Sequence, residues 1–114
     1  MENNFPPGIV DFAALAASST EPYKNVPLTV VNDHVIRLSI MTEPFYWHRH
    51  PNSDETFLSV EGSLYIDLDN ETIELSPGQL FTVPKNAHHR TRPKGARSVN
   101  LTFELLDIET VRTA

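Results

Sequence analysis

Trp47-His48-Arg49-His50-Pro51-Asn52-Ser53-Asp54-Glu55 is the stretch on which the reading of this chain turns. Phe45 to His50 reads as a strand, in which residues two apart share a face. His48 and His50 then project the same way, spaced to hold one ion. Pro51 ends the strand, and Asn52-Ser53-Asp54 is turn chemistry. Glu55 opens the next strand, Thr56 to Glu61, which stops at Gly62. A hairpin of this kind brings Glu55 back beside the two histidines. Imidazole nitrogen and carboxylate oxygen are both ligands a divalent transition metal accepts. An H-x-H pair alone would read as two surface histidines. The carboxylate after the turn argues for a site.

A second segment strengthens the case. Pro77-Gly78-Gln79-Leu80-Phe81-Thr82-Val83-Pro84-Lys85-Asn86-Ala87-His88-His89 is a turn, a strand, another turn and then histidine. Two such segments, each delivering imidazole, are what a metal site inside a barrel requires. His88 and His89 are rivals, because neighbours on a strand point to opposite faces.

The rest of the chain supplies the barrel. Val26 to Val31 is apolar and β-branched, Asn32-Asp33 is a turn pair, and His34 to Met41 is a further strand. Ser63 to Asp69 alternates, with Leu64, Ile66 and Leu68 on one face. Asp69-Asn70 turns the chain into Glu71 to Leu75, and Ser76-Pro77-Gly78 turns it again. Leu80 to Val83 and Ser98 to Leu105 complete the pattern, the latter with Val99, Leu101, Phe103 and Leu105 on one face. Nine prolines spread over 114 residues break helices throughout. Only Asp11 to Ala17 reads as helical, with Asp11 as its N-cap. Ser18 to Lys24 reads as a connector. The expected organisation is an N-terminal arm with a short helix over 1–25, a β-barrel over 26–106 and a tail over 107–114. It is a single domain of the all-β class, and 114 residues leave no room for a second core.

Composition narrows the function. Nine Lys plus Arg against fifteen Asp plus Glu gives a net charge of -6. That argues against nucleic acid as a partner. No apolar run approaches the roughly 20 residues a membrane span needs, and the N-terminal residues lack a signal-peptide pattern, so a cytoplasmic protein is expected. With no cysteine, thiolate ligands and cysteine nucleophiles are both excluded. No G-x-S-x-G, G-x-G-x-x-G or P-loop sequence occurs.

The two histidine segments resemble the paired motifs of the cupin superfamily. The first, G-x5-H-x-H-x3,4-E-x6-G, is matched by His48, His50, Glu55 and Gly62. The second, G-x5-P-x-G-x2-H-x3-N, is matched in spacing by Gly78, Pro84 and His89. Fifteen residues separate Gly62 from Gly78, as in compact bacterial members. The whole chain is most similar to small single-domain cupins described as mannose-6-phosphate-isomerase-like. Thr42, Asn86 and Pro93 depart from the motifs, and Asn86 keeps the turn because Asn tolerates left-handed backbone. The resemblance implies a double-stranded β-helix, or jelly-roll, barrel and a homodimer. It implies one divalent transition metal (Mn, Fe, Ni, Co, Cu or Zn) held by His48, His50, Glu55 and His89, with motif spacing choosing His89 over His88.

The function so implied is a metal-dependent enzyme on a small oxygenated metabolite, of dioxygenase or sugar-type isomerase kind. A non-catalytic small-molecule sensor is the alternative, and a metal-free structural cupin the weakest reading. No catalytic residue outside the ligand set is named. Tyr46 shares the face of His48, and Phe57 and Ser59 share that of Glu55, which makes these three the pocket-lining candidates. His34 has no partner at ligand spacing. Lys85, Arg90, Arg92, Lys94 and Arg97 form a basic region that reads as a solvated hairpin or a steering patch for an anionic substrate. Asp67, Asp69, Glu71 and Glu74 read as a solvated edge.

Overall fold

The computed structural model describes residues 7–113. The first six residues of the expected N-terminal arm and Ala114 of the expected tail lie outside the described residues. Helix α1 spans Phe12–Ser18. The Asp11 carboxylate caps it, accepting a hydrogen bond from the Ala14 amide at 3.1 Å. Seven residues are too few for a helix to persist alone, and α1 is anchored by Ala16, which is buried.

Ten strands follow: β1 (Tyr23–Val31), β2 (His34–Met41), β3 (His48–Arg49), β4 (Glu55–Glu61), β5 (Leu64–Leu68), β6 (Thr72–Leu75), β7 (Leu80–Val83), β8 (His89–Pro93), β9 (Ser98–Leu105) and β10 (Val111–Arg112). They form two five-stranded antiparallel sheets, ordered β1-β2-β9-β4-β7 and β10-β3-β8-β5-β6. This is the expected all-β jelly roll with a short N-terminal helix. Strands β2, β7 and β9 have the bounds read from the sequence.

Other elements differ. β1 starts at Tyr23, so Tyr23 and Lys24 are strand residues and not connector. The strand expected from Phe45 to His50 is reduced to two residues. Pro44 and Pro51 bound this segment, and the Phe45 amide donates instead to the Thr91 carbonyl at 2.9 Å. Nor do β3 and β4 form a hairpin. The chain crosses from one sheet to the other at residues 51–54, so Glu55 meets the histidines across the gap between the sheets. Strands β8 and β10 are additions to the expected pattern. β10 pairs with β3 and ties residues 111–112 to the histidine segment.

The first sheet buries both of its faces. Leu38 of β2, Leu101 of β9 and Leu58 of β4 lie opposite one another. They belong to a cluster with Ala16, Leu28, Ile40 and Val99, packed on its rim by Phe12 and Phe103. That cluster includes helix α1, so this apolar face is turned away from the other sheet. The neighbouring registers alternate onto the opposite face and are polar apart from Phe57: Ser39, Asn100 and Ser59 in one row, Arg37, Thr102 and Phe57 in the next. A second apolar cluster, Met41, Phe57, Leu64, Ile66, Leu75 and Val83, fills one end of the space between the sheets.

On the second sheet Asp67 overturns the expectation of a solvated edge. It is buried, and its carboxylate accepts from Arg90 Nε at 2.9 Å, Arg92 Nε at 2.8 Å and Thr72 Oγ1 at 2.6 Å. Hydrogen bonding from Arg92 holds the Asp67 carboxyl well below the usual carboxylate range. Asp67→Ala is expected to destabilise the fold by about 1–2 kcal/mol, because both arginines stay partly exposed and re-solvate. A shift of the urea midpoint at constant slope would measure this. The loss should be full above the ordinary Asp pKa and should shrink as pH falls below it, since a depressed carboxyl stabilises only while ionised.

Candidate metal centre

His48 lies on β3, His50 directly after it, Glu55 opens β4 and His89 opens β8. His48 pairs with His89 across adjacent strands, which sets two imidazoles side by side. All four side chains are buried, His89 completely. One ligand atom from each lies within 4.8 Å of the others.

The imidazoles are oriented from behind. His48 Nδ1 donates to the Tyr46 carbonyl at 2.8 Å, His89 Nδ1 to the Ala87 carbonyl at 2.8 Å, and His50 Nδ1 to the Glu109 carbonyl at 2.9 Å. A proton fixed on each Nδ1 leaves the three Nε2 lone pairs free for an ion, the usual arrangement behind metal-bound histidine. The anchor for His50 comes from 59 residues downstream. It is placed by the 51–54 crossover, where Asn52 Oδ1 accepts from the Glu109 amide at 2.8 Å and Ser53 Oγ from the Leu105 amide at 3.1 Å. The turn carrying His88 and His89 is bound to the same crossover. The Asn86 amide donates to the His50 carbonyl at 2.8 Å, and the Lys85 amide to Asp54 Oδ1 at 2.7 Å. Asn86 adopts φ of 69°, the left-handed backbone expected of it.

The donor set fits a divalent cation. His50 Nε2 and His89 Nε2 each lie 3.3 Å from Glu55 Oε1, beyond the common N–H···O range. His50 Nε2 is buried with no hydrogen-bond partner. A buried polar atom in that condition calls for an explanation, and an ion shared with Glu55 provides one. Burial pushes His48 down to about 4, with further lowering by the neighbouring histidines, so its imidazole is neutral and ready to coordinate. Burial opposes ionisation of Glu55, yet the nearness of the His50 and His89 imidazoles outweighs it and keeps the carboxyl far below its ordinary range.

His88 points elsewhere. Its ring stacks on Trp47 at 4.7 Å, and its nitrogens lie 2.6 Å from Asp69 Oδ1 and 2.6 Å from Thr113 Oγ1. His34 is exposed and bonded to Asp33. Of the basic region, Arg90 and Arg92 pair with Asp67, Lys94 with Glu74 and Arg97 with Glu61.

A cavity of about 290 Å³ adjoins the cluster. Tyr46 and Phe57 line it. Ser59 is not among its lining residues: it is buried deeper, and its hydroxyl donates to the Gly62 carbonyl at 2.9 Å. Sequence reasoning missed Glu104, Arg37, Tyr23 and Asn25, which also line the cavity. Glu104 is buried against Glu55, and burial, followed by the Glu55 charge, pushes its carboxyl up to about 8. The alternation of β9 separated Glu104 from the apolar face, but nothing in it marks which face meets the cavity.

A two-sheet β-barrel with a buried His-His-Glu-His group between its walls defines the class: a small cupin with a site able to hold one metal ion. The family model for the cupin domain matches residues 40–108, and the chain belongs to that family. It is 42% identical to the uncharacterized protein YdbB of Bacillus subtilis (strain 168), over 86% of this chain and 87% of that one. Its fold is similar to a cupin-2 domain containing protein from Shewanella frigidimarina, with a TM-score of 0.78, 24% identity and coverage of 85% and 94% of the two chains. It is also similar to the DMSP lyase DddQ from Ruegeria pomeroyi, with a TM-score of 0.70 over 86% of this chain and 58% of that one. At 16% identity the latter likeness is one of fold.

Proposed function

We propose that the protein is a metal-dependent enzyme acting on a small oxygenated metabolite, of dioxygenase or sugar-type isomerase kind. His48, His50, Glu55 and His89 would hold one divalent transition metal ion. The observation that carries this reading is the set of three imidazoles, each fixed through Nδ1, converging with a carboxylate beside a cavity with room for a ligand. Such an ion supplies Lewis-acid polarisation of a substrate oxygen. The protein's own contribution is to fix the ligands, exclude bulk water from the buried cluster and position the substrate against the wall formed by β1 and β2.

A cytoplasmic homodimer is the proposed working form. The shortness of the chain, which limits the core it can bury alone, supports a second copy as its partner.

The test is elemental analysis of protein purified without added metal, then product detection and oxygen uptake across diols, sugar phosphates and oxo acids. About one equivalent of a transition metal with metal-dependent turnover is expected. Less than about a tenth of an equivalent, before and after reconstitution, would sink the metal reading. Metal without turnover, accompanied by a ligand-induced thermal shift, would establish the sensor alternative.

A further inference from the structure

The cavity wall built by β1 and β2 carries a guanidinium. Arg37 is the only lysine or arginine lining the cavity among the described residues. Four of the other cations are paired elsewhere: Arg90 and Arg92 with Asp67, Lys94 with Glu74 and Arg97 with Glu61. Arg37 is held more loosely. Its Nη1 donates to Asn25 Oδ1 at 3.3 Å, and its Nε lies 4.0 Å from Glu104 Oε2. A guanidinium has five N–H donors in a planar fork. One is bonded here and another is at the outer limit of an ion pair, which leaves donors for a ligand.

The surroundings of Arg37 are those of a recognition site. Asn25 supports it from β1, and Tyr23, Ser39 and Thr102 add hydroxyls to the same cavity. The alkyl stem is partly shielded, with 29% of the side chain exposed, so the charged end meets both the cavity and water. A divalent ion on the histidines and Glu55, together with Arg37, outweighs the Glu55 and Glu104 carboxyls in the cavity lining in either protonation state of Glu104. A net positive cavity lined by a forked donor suits a planar carboxylate better than a neutral polyol. At about 290 Å³ the cavity is at the small end of ligand pockets.

We infer that Arg37 is a specificity-determining residue and that the cavity takes a small hydroxy- or oxo-carboxylic acid. Its carboxylate lies on the Arg37 guanidinium, and its second oxygen faces the histidine cluster. This deepens the proposed function and rests on it for the second oxygen and for the net positive charge of the cavity, while the Arg37 fork itself does not depend on it.

Lactate, lactamide and propane-1,2-diol are the probes. They share a hydroxyl and a carbon skeleton and differ in the anion. Binding is measured by titration calorimetry on zinc-loaded protein and again on metal-free protein. The full chain is used as wild type, Arg37→Gln, Arg37→Lys and Asn25→Ala, with metal content and circular dichroism recorded on each sample. Wild type should prefer lactate to lactamide by roughly tenfold or more, the scale of a hydrogen bond to a charged group. Arg37→Gln should remove most of that preference with metal content unchanged. Arg37→Lys should keep part of it, because the charge remains while the fork is lost. Asn25→Ala, which removes only the support, should reduce it by a smaller factor and decides the matter if Arg37→Gln does not fold. Equal binding of lactate and lactamide in wild type, or a preference that survives Arg37→Gln, would overturn the inference. If the protein takes up no metal, the metal reading fails by itself. The lactate preference of the metal-free protein then still decides for or against Arg37.

Discussion

His50→Ala is expected to reduce bound metal from about one equivalent to below about a tenth, while the barrel stays folded. His50 is one of three imidazoles, and its Nε2 is the buried nitrogen that has no other partner. Loss of an outer partner of a metal ligand typically costs 10–100-fold in affinity, and loss of the ligand itself should exceed that. The structural cost is small by comparison. The Glu109 carbonyl loses its donor, but Glu109 is exposed and water replaces the bond, at about 1 kcal/mol. His88→Ala supplies the control, because His88 is engaged by Asp69 and Thr113 outside the cluster. Inductively coupled plasma analysis of both variants checks the pair. Stoichiometric metal in His50→Ala, or its loss in His88→Ala, would show that the ligands are wrongly assigned.

Gly62→Ala should be among the most destabilising single-methyl changes available in this chain. Gly62 closes the turn between β4 and β5 with φ of 68°. A β-carbon there costs about 1–2 kcal/mol of left-handed strain. It would also press into the Arg97 carbonyl oxygen, which is backbone just before β9 and cannot swing aside. The turn is held by the Ser59 hydroxyl on the Gly62 carbonyl, so movement breaks a second contact. A total of about 2–4 kcal/mol is expected. Gly78→Ala separates the two terms: φ there is 91°, and nothing lies within 4 Å of the added carbon. Its cost should be strain alone, about 1–2 kcal/mol. Thermal unfolding of the two variants should therefore differ, and equal midpoints would remove the backbone collision from the account.

The histidine cluster was readable because its evidence is local and chemical. Residues two apart on an extended segment face one way however short the strand is, so the two-residue β3 still aims His48 and His50 together. Motif spacing, not alternation, singled out His89 and linked it to Glu55. Chain direction through space was less legible. Pro51 to Asp54 has turn composition whether it closes a hairpin or crosses between sheets, and it crosses. The faces of β2 and β9 were assigned by hydrophobicity, which identifies Leu38 and Leu101 as buried but not what buries them. Helix α1 belongs to their cluster on the far side from the other sheet, so the polar registers carrying Arg37, Thr102 and Glu104 turn toward the cavity. Asp67 shows the same limit in reverse. A charged residue at an alternating outer position reads as solvated, and only the packing of β8 against β5 reveals two arginines waiting for it.

Strand order carries a consequence for biosynthesis. β9 lies between β2 and β4 in the first sheet, and β10 borders β3 in the second. Neither wall is complete until β9 and β10 have left the ribosome. The Glu109 carbonyl that orients His50 arrives in the same interval. Pairings this distant in sequence form slowly. The nascent chain therefore presents its H-x-H pair before the strands and the Glu109 anchor that complete the cluster are in place.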